Sequence, residues 1–279
     1  MSYGAETGPL AIAHRGGAGL APENTLAAFA RATALGVRYL ETDLRPTSDG
    51  ALVCFHDETL DRVTAARGRV ASRTVRGVRS LRVAGVEQVP TLVEALEAFP
   101  EARFTVDLKD EAAIAPLVRV LRRPGVAERV CVAGAWDGWL GFVQREVPAV
   151  TTALGWRSLT ALVACARAGV RPPRAVATGA FAHVPVRLGL VPVFVARLVQ
   201  MAHDIGVRVV VWTVDDPAAM GRFLDLGVDG VISDRPDLLR EVLIARRQWA
   251  PMPQAQVCRV RTPARGIPGG AAGSVLGGA

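Results

Sequence analysis

Short apolar runs recur along the chain, and each gives way to a longer stretch in which apolar residues return every third or fourth position. The first pattern reads as a strand and the second as an amphipathic helix. The alternation predicts strands near residues 10–14, 38–44, 103–108, 129–133, 150–154, 174–178, 208–213 and 229–233. Helices are predicted near residues 25–35, 91–98, 111–122, 138–146, 158–168, 192–205, 216–226 and 236–248. Repeated strand–helix units imply a parallel sheet, and eight of them suggest a closed (β/α)8 TIM barrel. Periodicity by itself does not separate that barrel from an open doubly wound sheet. Asn24 is placed to cap the first helix and Gly36 to end it, while Asp216-Pro217 opens the seventh with a cap and a proline. One segment breaks the rhythm. The run 51–55 follows the second strand across Arg45-Pro46 and the turn-like Ser48-Asp49-Gly50. It predicts a hairpin arm that brings His56 roughly opposite Asp43.

A length of 279 residues suits one barrel, and a chain half hydrophobic and 21% charged has ample material for a core. The longest apolar stretch, Leu188 to Val199, is interrupted by Pro192 and Arg197 and is too short to span a bilayer. No basic region precedes an apolar core at the N-terminus, so the protein is expected to be soluble, cytoplasmic and without a transmembrane segment. Cys54, Cys131, Cys165 and Cys258 have no metal-ligand spacing, which argues against a zinc site or a disulfide scaffold. The net charge of +7 is local. Seven arginines lie between Arg62 and Arg82 with no acid among them and three more follow Ala250; without these ten the remainder stands at −3. No aromatic residues interleave with these arginines, so a solvated loop is favoured over a nucleic-acid surface. The expected organisation is a barrel domain over 1–249, with a short insertion at about 57–89, and a disordered tail over 250–279 with five glycines in its last twelve residues.

Chemistry-bearing residues concentrate in His14-Arg15-Gly16-Gly17, Pro22-Glu23-Asn24-Thr25, Glu41-Thr42-Asp43 and His56-Asp57. Residues two apart on a strand share a face, so Glu41 and Asp43 project together, as do Asp107 and Lys109 at the exit of the third strand. Glu41, Asp43 and Asp107 form an all-oxygen ligand set that suits Mg²⁺ or Ca²⁺ rather than zinc. His14 and His56 sit at strand exits and titrate near neutral pH, which suits general acid–base work. Arg15 offers a planar fork for phosphate oxygens. Lys109 is the single lysine among 32 arginines, so the bias that replaced lysine elsewhere did not operate there. A compact ammonium, rather than a wide guanidinium, is what that position requires. Glu23 either holds Arg15 or a histidine or simply favours a helix start. Trp212 ends the seventh strand. His183 and His203 lack acid partners at comparable spacing and read as structural, and Asp215, Asp216 and Asp234 read as helix-start residues.

These pieces resemble the glycerophosphodiester phosphodiesterase family, whose hallmarks are a His-Arg-Gly opening, a Pro-Glu-Asn-Thr segment, a Glu-x-Asp pair and a His-Asp closing. The resemblance continues through Val89-Pro90-Thr91-Leu92, Asp107-Leu108-Lys109, Trp212-Thr213-Val214 and Asp229-Gly230-Val231-Ile232-Ser233-Asp234-Arg235-Pro236, and spans Ala11 to Leu243. It implies a TIM barrel with its chemistry on the C-terminal ends of the strands. It also implies a divalent cation, Mg²⁺ or Ca²⁺, bridging Glu41, Asp43 and Asp107 to the phosphate of a small glycerophosphodiester. Hydrolysis to sn-glycerol 3-phosphate and an alcohol would use His14 and His56 as acid and base, with Arg15 and Lys109 near the phosphate and Trp212 walling the glycerol pocket. The chain departs from the family where Asp107 stands, since glutamate is more usual there, and a shorter side chain shifts the ion or admits a water. Two other readings stay open. One is a lysophospholipase D-like activity that stops at a cyclic phosphate, which a wide apolar rim would favour. The other is a catalytically silent barrel binding anionic lipid or nucleic acid through Arg62–Arg82.

Overall fold

The computed structural model describes residues 3–188, 191–194 and 197–250. Eight parallel strands form the barrel: β1 (Leu10–Ala13), β2 (Tyr39–Pro46), β3 (Arg103–Leu108), β4 (Val130–Gly134), β5 (Thr151–Thr152), β6 (Phe181–Pro185), β7 (Arg208–Trp212) and β8 (Gly230–Ser233). They pair in the order β5-β4-β3-β2-β1-β8-β7-β6. The remaining seam closes through a parallel bridge between Ala153 and Phe181, with Leu154 N–H donating to the Phe181 carbonyl at 2.7 Å. Each strand is followed by a helix: α1 (Leu26–Ala34), α2 (Leu92–Ala98), α3 (Ile114–Leu121), α4 (Asp137–Glu146), α5 (Trp156–Ala168), α6 (Arg197–His203), α7 (Pro217–Asp225) and α8 (Pro236–Ala245). The expected TIM barrel is the fold.

Local chemistry sets the helix ends. Thr91 and Glu94 form a reciprocal capping box at α2, and Asp216 caps α7 with Pro217 at its first position. At α1 the cap is Thr25, whose hydroxyl accepts from the Ala28 amide, and not Asn24. Asn24 instead adopts a left-handed φ of 57° and sends its amide group inward to β2. Two further expectations need correction. Residues 174–178 hold a 3-10 turn at Arg174–Val176, and the sixth strand comes later, at Phe181–Pro185. A histidine in mid-strand and a terminal proline mask that strand in the sequence; Pro185 is tolerated because it is the last residue of the ladder. The region from 192 does not continue as a helix from its start: Arg187–Leu188 pairs antiparallel with Val191–Pro192, and α6 begins at Arg197.

Three apolar layers hold the barrel. Ile12, Ala153, Phe181, Val210 and Ile232 fill its interior. The outward faces of the strands pack on the helices in two large clusters, one around Phe29, Phe104 and Leu117, the other around Val209, Val231 and Leu239. Tyr3, to which the sequence reading gave no role, joins the interior cluster. Its hydroxyl meets Thr105 Oγ1 at 2.5 Å, and its ring stands edge-on to Tyr39 and Phe181. Beyond β2, a hairpin arm (Leu52–Cys54) runs antiparallel to it, with Leu44 opposite Cys54. The segment that follows builds a small core of its own from Val53, Phe55, Leu60, Val70, Val78, Val83 and Val89. Four of the seven arginines between Arg62 and Arg82 are ion-paired. Arg62, Arg67, Arg69 and Arg79 each meet an acid: Glu23 and Asp57, Asp61, Glu58 and Glu94 respectively. That pairing does not favour an anion- or nucleic-acid-binding segment. Among the described residues no helix is long and apolar enough to cross a membrane, and the tail expected to be disordered lies outside the described residues.

Phe104 is fully buried, stands edge-on to Phe29 at 5.8 Å and lies beneath the Arg129 guanidinium. Its replacement by alanine is expected to cost ~3–5 kcal/mol in urea unfolding. The same change at Phe142, which is 42% exposed, should cost roughly 0.5 kcal/mol or less.

Candidate active site

Parallel register gathers the acids. β2 pairs with β3 so that Glu41 lies opposite Thr105 and Asp43 opposite Asp107, and all these side chains face the C-terminal mouth of the barrel. Carboxylate oxygens of Glu41, Asp43 and Asp107 lie within 4.8 Å of one another. Lys109, one step beyond β3, sets its ammonium 2.6 Å from Asp107 Oδ2 and 3.0 Å from Asp43 Oδ1. Burial works against that charge, but the two carboxylates outweigh it and hold the ammonium well above its ordinary pKa. Both contacts are made by one compact ammonium, at the position where this arginine-rich chain keeps its one lysine.

His14 and His56 each have an aspartate on Nδ1. His14 Nδ1 lies 2.7 Å from Asp234 Oδ1, and its Nε2 lies 4.0 Å from Glu41. Burial opposes protonation of His14, yet Asp234 and Glu41 together raise its pKa. His56 Nδ1 lies 2.6 Å from Asp57 Oδ1. The hairpin register places Phe55, not His56, across from Asp43, with the Phe55 amide donating to the Asp43 carbonyl at 2.9 Å; His56 follows as the arm turns away. Arg45 fixes that turn by donating to the His56 carbonyl at 3.1 Å and the Lys109 carbonyl at 3.0 Å. Around Asp43, Asn24 Nδ2 donates to Oδ2 at 2.9 Å while Asn24 Oδ1 accepts from Thr42. Burial pushes the Asp43 pKa up, but Lys109, His56, Arg15 and the Asn24 amide pull it below the ordinary value. Glu41 has less help: burial first, and the Asp43 charge second, push it up to about 7 against the opposing His14 and Arg15 amide. The backbone amide of Arg15 donates to Glu41 Oε2 at 2.8 Å, from a residue whose own φ is +48°.

One cavity of about 290 Å³ contains His14, Arg15, Glu41, Asp43, His56, Asp107, Lys109 and Trp212 on its walls. Glu23 does not line it; it holds Arg15 Nη1 at 2.9 Å from behind. Much of the remaining lining is apolar, with Leu108, Leu154, Leu159, Trp136, Trp139 and Trp156. His183, which the sequence suggested is structural, also lines the cavity. Its Nε2 and the Trp212 Nε1 lack hydrogen-bond partners, and burial lowers the His183 pKa to about 4.

The sequence profile of the glycerophosphoryl diester phosphodiesterase family matches residues 14–238. The chain belongs to this family. A Mycobacterium tuberculosis protein named "Probable glycerophosphodiester phosphodiesterase 2" is 37% identical over 87% of this chain and 93% of its own. The glycerophosphodiester phosphodiesterase of Caldanaerobacter subterraneus subsp. tengcongensis is 32% identical over 82% and 96% respectively. Among solved structures, a glycerophosphodiester phosphodiesterase from Agrobacterium tumefaciens superposes with a TM-score of 0.68 at 25% identity, covering 82% of this chain and 97% of that one.

Within this phosphodiesterase, the three acids fit a hard divalent cation. They offer oxygen donors alone, at the ends of two neighbouring strands, in a largely buried cluster whose Glu41 carries a raised pKa that a cation would relieve. Two partners went unrecognised in the sequence. Asp234 holds His14 and does not cap α8, whose N-cap is Arg235. Asp215, rather than starting a helix, accepts from the Asp234 amide and the Ser233 hydroxyl, both at 2.8 Å. Parallel pairing of Ala13 with Ser233 brings Asp234 beside His14, a contact across 220 residues that no local spacing announces.

Two outcomes follow from this geometry. Glu41 binds a proton in the folded state between its ordinary value of 4.5 and about 7, so its contribution to stability is present below pH 4.5 and lost as pH rises through 7. A divalent cation takes the proton's place, so the gain in Tm from Mg²⁺ or Ca²⁺ over EDTA should be ~5 °C or more at pH 8 and distinctly smaller at pH 5. Equal gains at both pH values would remove Glu41 from the ligand set. Replacing Asp234 by asparagine should lower kcat on the order of 10²-fold, through loss of the His14 orientation, while the circular dichroism spectrum stays unchanged.

Proposed function

We propose that this phosphodiesterase hydrolyses glycerophosphodiesters in a divalent-cation-dependent reaction that yields sn-glycerol 3-phosphate and an alcohol. The observation that carries this reading is the convergence of three carboxylates and two histidine–aspartate pairs on one cavity. A phosphodiester is an anion that resists attack, so it needs charge neutralisation, an activated nucleophile and a proton for the leaving alkoxide. Glu41, Asp43 and Asp107 would hold Mg²⁺ or Ca²⁺, which when bound supplies a positive charge for the phosphoryl oxygens.

The chain's own groups supply the rest. Arg15 and Lys109 add positive charge beside the acids, and each is fixed by a carboxylate, Glu23 for the first and Asp107 for the second. Both imidazoles are anchored through Nδ1, which leaves Nε2 to exchange protons. One accepts the proton of the attacking hydroxyl, either water or the glycerol 2-hydroxyl, as the new P–O bond forms. The other donates a proton to the departing alkoxide as the old P–O bond breaks. Trp212 supplies a flat apolar wall for the glycerol carbons.

A second reading rests on the apolar half of the cavity. Trp136 is 61% exposed and Trp156 37% exposed, and they flank the mouth, joined by the Trp156 amide donating to the Ala135 carbonyl at 2.8 Å. A rim of that kind suits a leaving alcohol with an acyl chain, as in a lysophospholipase D-like cleavage. The deciding assay measures glycerol 3-phosphate from a panel of glycerophosphodiesters with EDTA, Mg²⁺ or Ca²⁺. Cation-dependent release that falls ~10²-fold or more in His14→Ala and in His56→Ala is the expected result. Turnover confined to lysolipids, or a cyclic phosphate product, would transfer the site to the second reading. No turnover of any diester would end both.

A further inference from the structure

Arg62 stands outside the cavity, yet it touches both groups that hold the catalytic side chains from behind. It follows His56 by six positions. Between them Leu60 is fully buried in the small core of the insertion. Backbone bonds from Leu60 to Gly68 at 2.9 Å and from Ala84 to Val63 at 2.8 Å pin the chain on either side of Arg62. Its guanidinium then spans two carboxylates that belong to different loops. Nε lies 2.5 Å and Nη2 3.2 Å from the two oxygens of Asp57, while Nη1 and Nη2 lie 2.9 and 2.7 Å from the two oxygens of Glu23.

Each of those acids has one further partner in the site. Asp57 receives His56 Nδ1, and Glu23 receives Arg15 Nη1. Arg15 in turn sets its Nε 3.4 Å from Asp43. The result is a continuous chain of contacts from the acid cluster, through Arg15, Glu23, Arg62 and Asp57, to His56. Two guanidinium groups face two carboxylates within it, so the local charge is balanced. Both acids sit below their ordinary pKa. For Asp57, now at about 2, the Arg62 bond is the largest cause; for Glu23, burial opposes the shift and Arg62 leads the groups that overcome it.

We infer that Arg62 is a positioning residue for the diester cleavage proposed above, locking Asp57 and Glu23 together so that His56 and Arg15 are aligned on one substrate. The geometry demands a planar fork. Four N–H contacts to two carboxylates match a guanidinium fork, and a lysine ammonium cannot reach both acids in the same way. Without the fork, the two carboxylates would face each other uncompensated, and each could rotate away from the group it holds. Arg62 is also 48% exposed on its side chain, so its ion pairs should contribute little to global stability. This separates a positioning role from a structural one, because activity and Tm should respond differently.

The test uses the full-length protein with Mg²⁺ or Ca²⁺ and glycerophosphocholine as substrate. Arg62→Ala and the bulkier Arg62→Gln are expected to lose tenfold or more in kcat, with Tm within about 3 °C of the parent. Arg62→Lys should not recover it. Guanidinium chloride at tens of millimolar should restore Arg62→Ala several-fold, since the half-exposed slot admits the free ion, whereas ammonium chloride at equal ionic strength should not. Wild-type-like kcat in both truncated variants would overturn the inference, as would full activity in Arg62→Lys or equal rescue by ammonium. A parallel fall in Tm and activity without rescue would show a structural role and overturn it as well. Absence of turnover by the wild-type protein would instead sink the reaction proposed for the site, so the two failures are distinguishable.

Discussion

Three carboxylates brought together at the ends of two paired strands inside an apolar barrel repel one another, and the site is organised around containing that repulsion. The register of β2 on β3 makes the repulsion unavoidable by setting Asp43 directly beside Asp107. Lys109 bridges this pair, Asn24 and Arg15 flank Asp43, and the amide of Arg15 reaches Glu41. Both Arg15 and Asn24 adopt left-handed backbone angles to do so, which a non-glycine residue accepts at some cost when its surroundings fix it. What stays uncompensated is concentrated on Glu41, and that residual charge is the one a cation would meet.

The fold provides the rigidity that this arrangement needs. Acids placed on strands inherit the spacing of a hydrogen-bonded sheet, so their separation does not depend on loop conformation. Apolar layers inside and outside the barrel hold the strands from both faces, and Tyr3 plugs the interior under Thr105. The two imidazoles sit instead at a strand exit and on the hairpin arm, where each is oriented by an aspartate. Arg45 does this for the arm by tying the carbonyls of His56 and Lys109 to one guanidinium. Rigid acids and individually braced imidazoles divide the site between secondary structure and side-chain contacts.

That division explains what the sequence discloses. Strands and helices follow from local periodicity, and seven of the strand positions emerge at or close to their observed places. The sixth does not, because β6 carries His183 in its middle and Pro185 at its end, while 174–178, with its own Ala-Val-Ala run, folds as a turn after Pro172-Pro173. Glu41, Asp43, Asp107 and Lys109 were legible because alternation along a strand states which residues share a face. Asp234 was not, because its aspartate-before-proline setting is also that of a helix start, and its contact with His14 exists only once β8 pairs with β1. The ion pairing of four insertion arginines was hidden in the same way. Counted along the chain they form an acid-free run, whereas in space Glu23, Asp57, Asp61, Glu58 and Glu94 come to meet them from elsewhere or from just before the run.

The two histidine–aspartate pairs are built on opposite scales. His56 and Asp57 are chain neighbours, so their pairing needs no barrel, but their direction must be set from outside by Arg45 and by whatever holds Asp57. His14 and Asp234 lie on the first and last strand exits, so their pairing requires the β1–β8 seam and needs little else. Closure of the sheet is therefore a condition of the chemistry and not merely of stability. An open doubly wound sheet, equally compatible with the strand–helix periodicity, would leave its first and last strands free to lie apart. It could still gather Glu41, Asp43 and Asp107 from neighbouring strands. It would not, by its topology, bring an acid to His14, and the site would retain its cluster of acids with one of its two imidazoles unoriented.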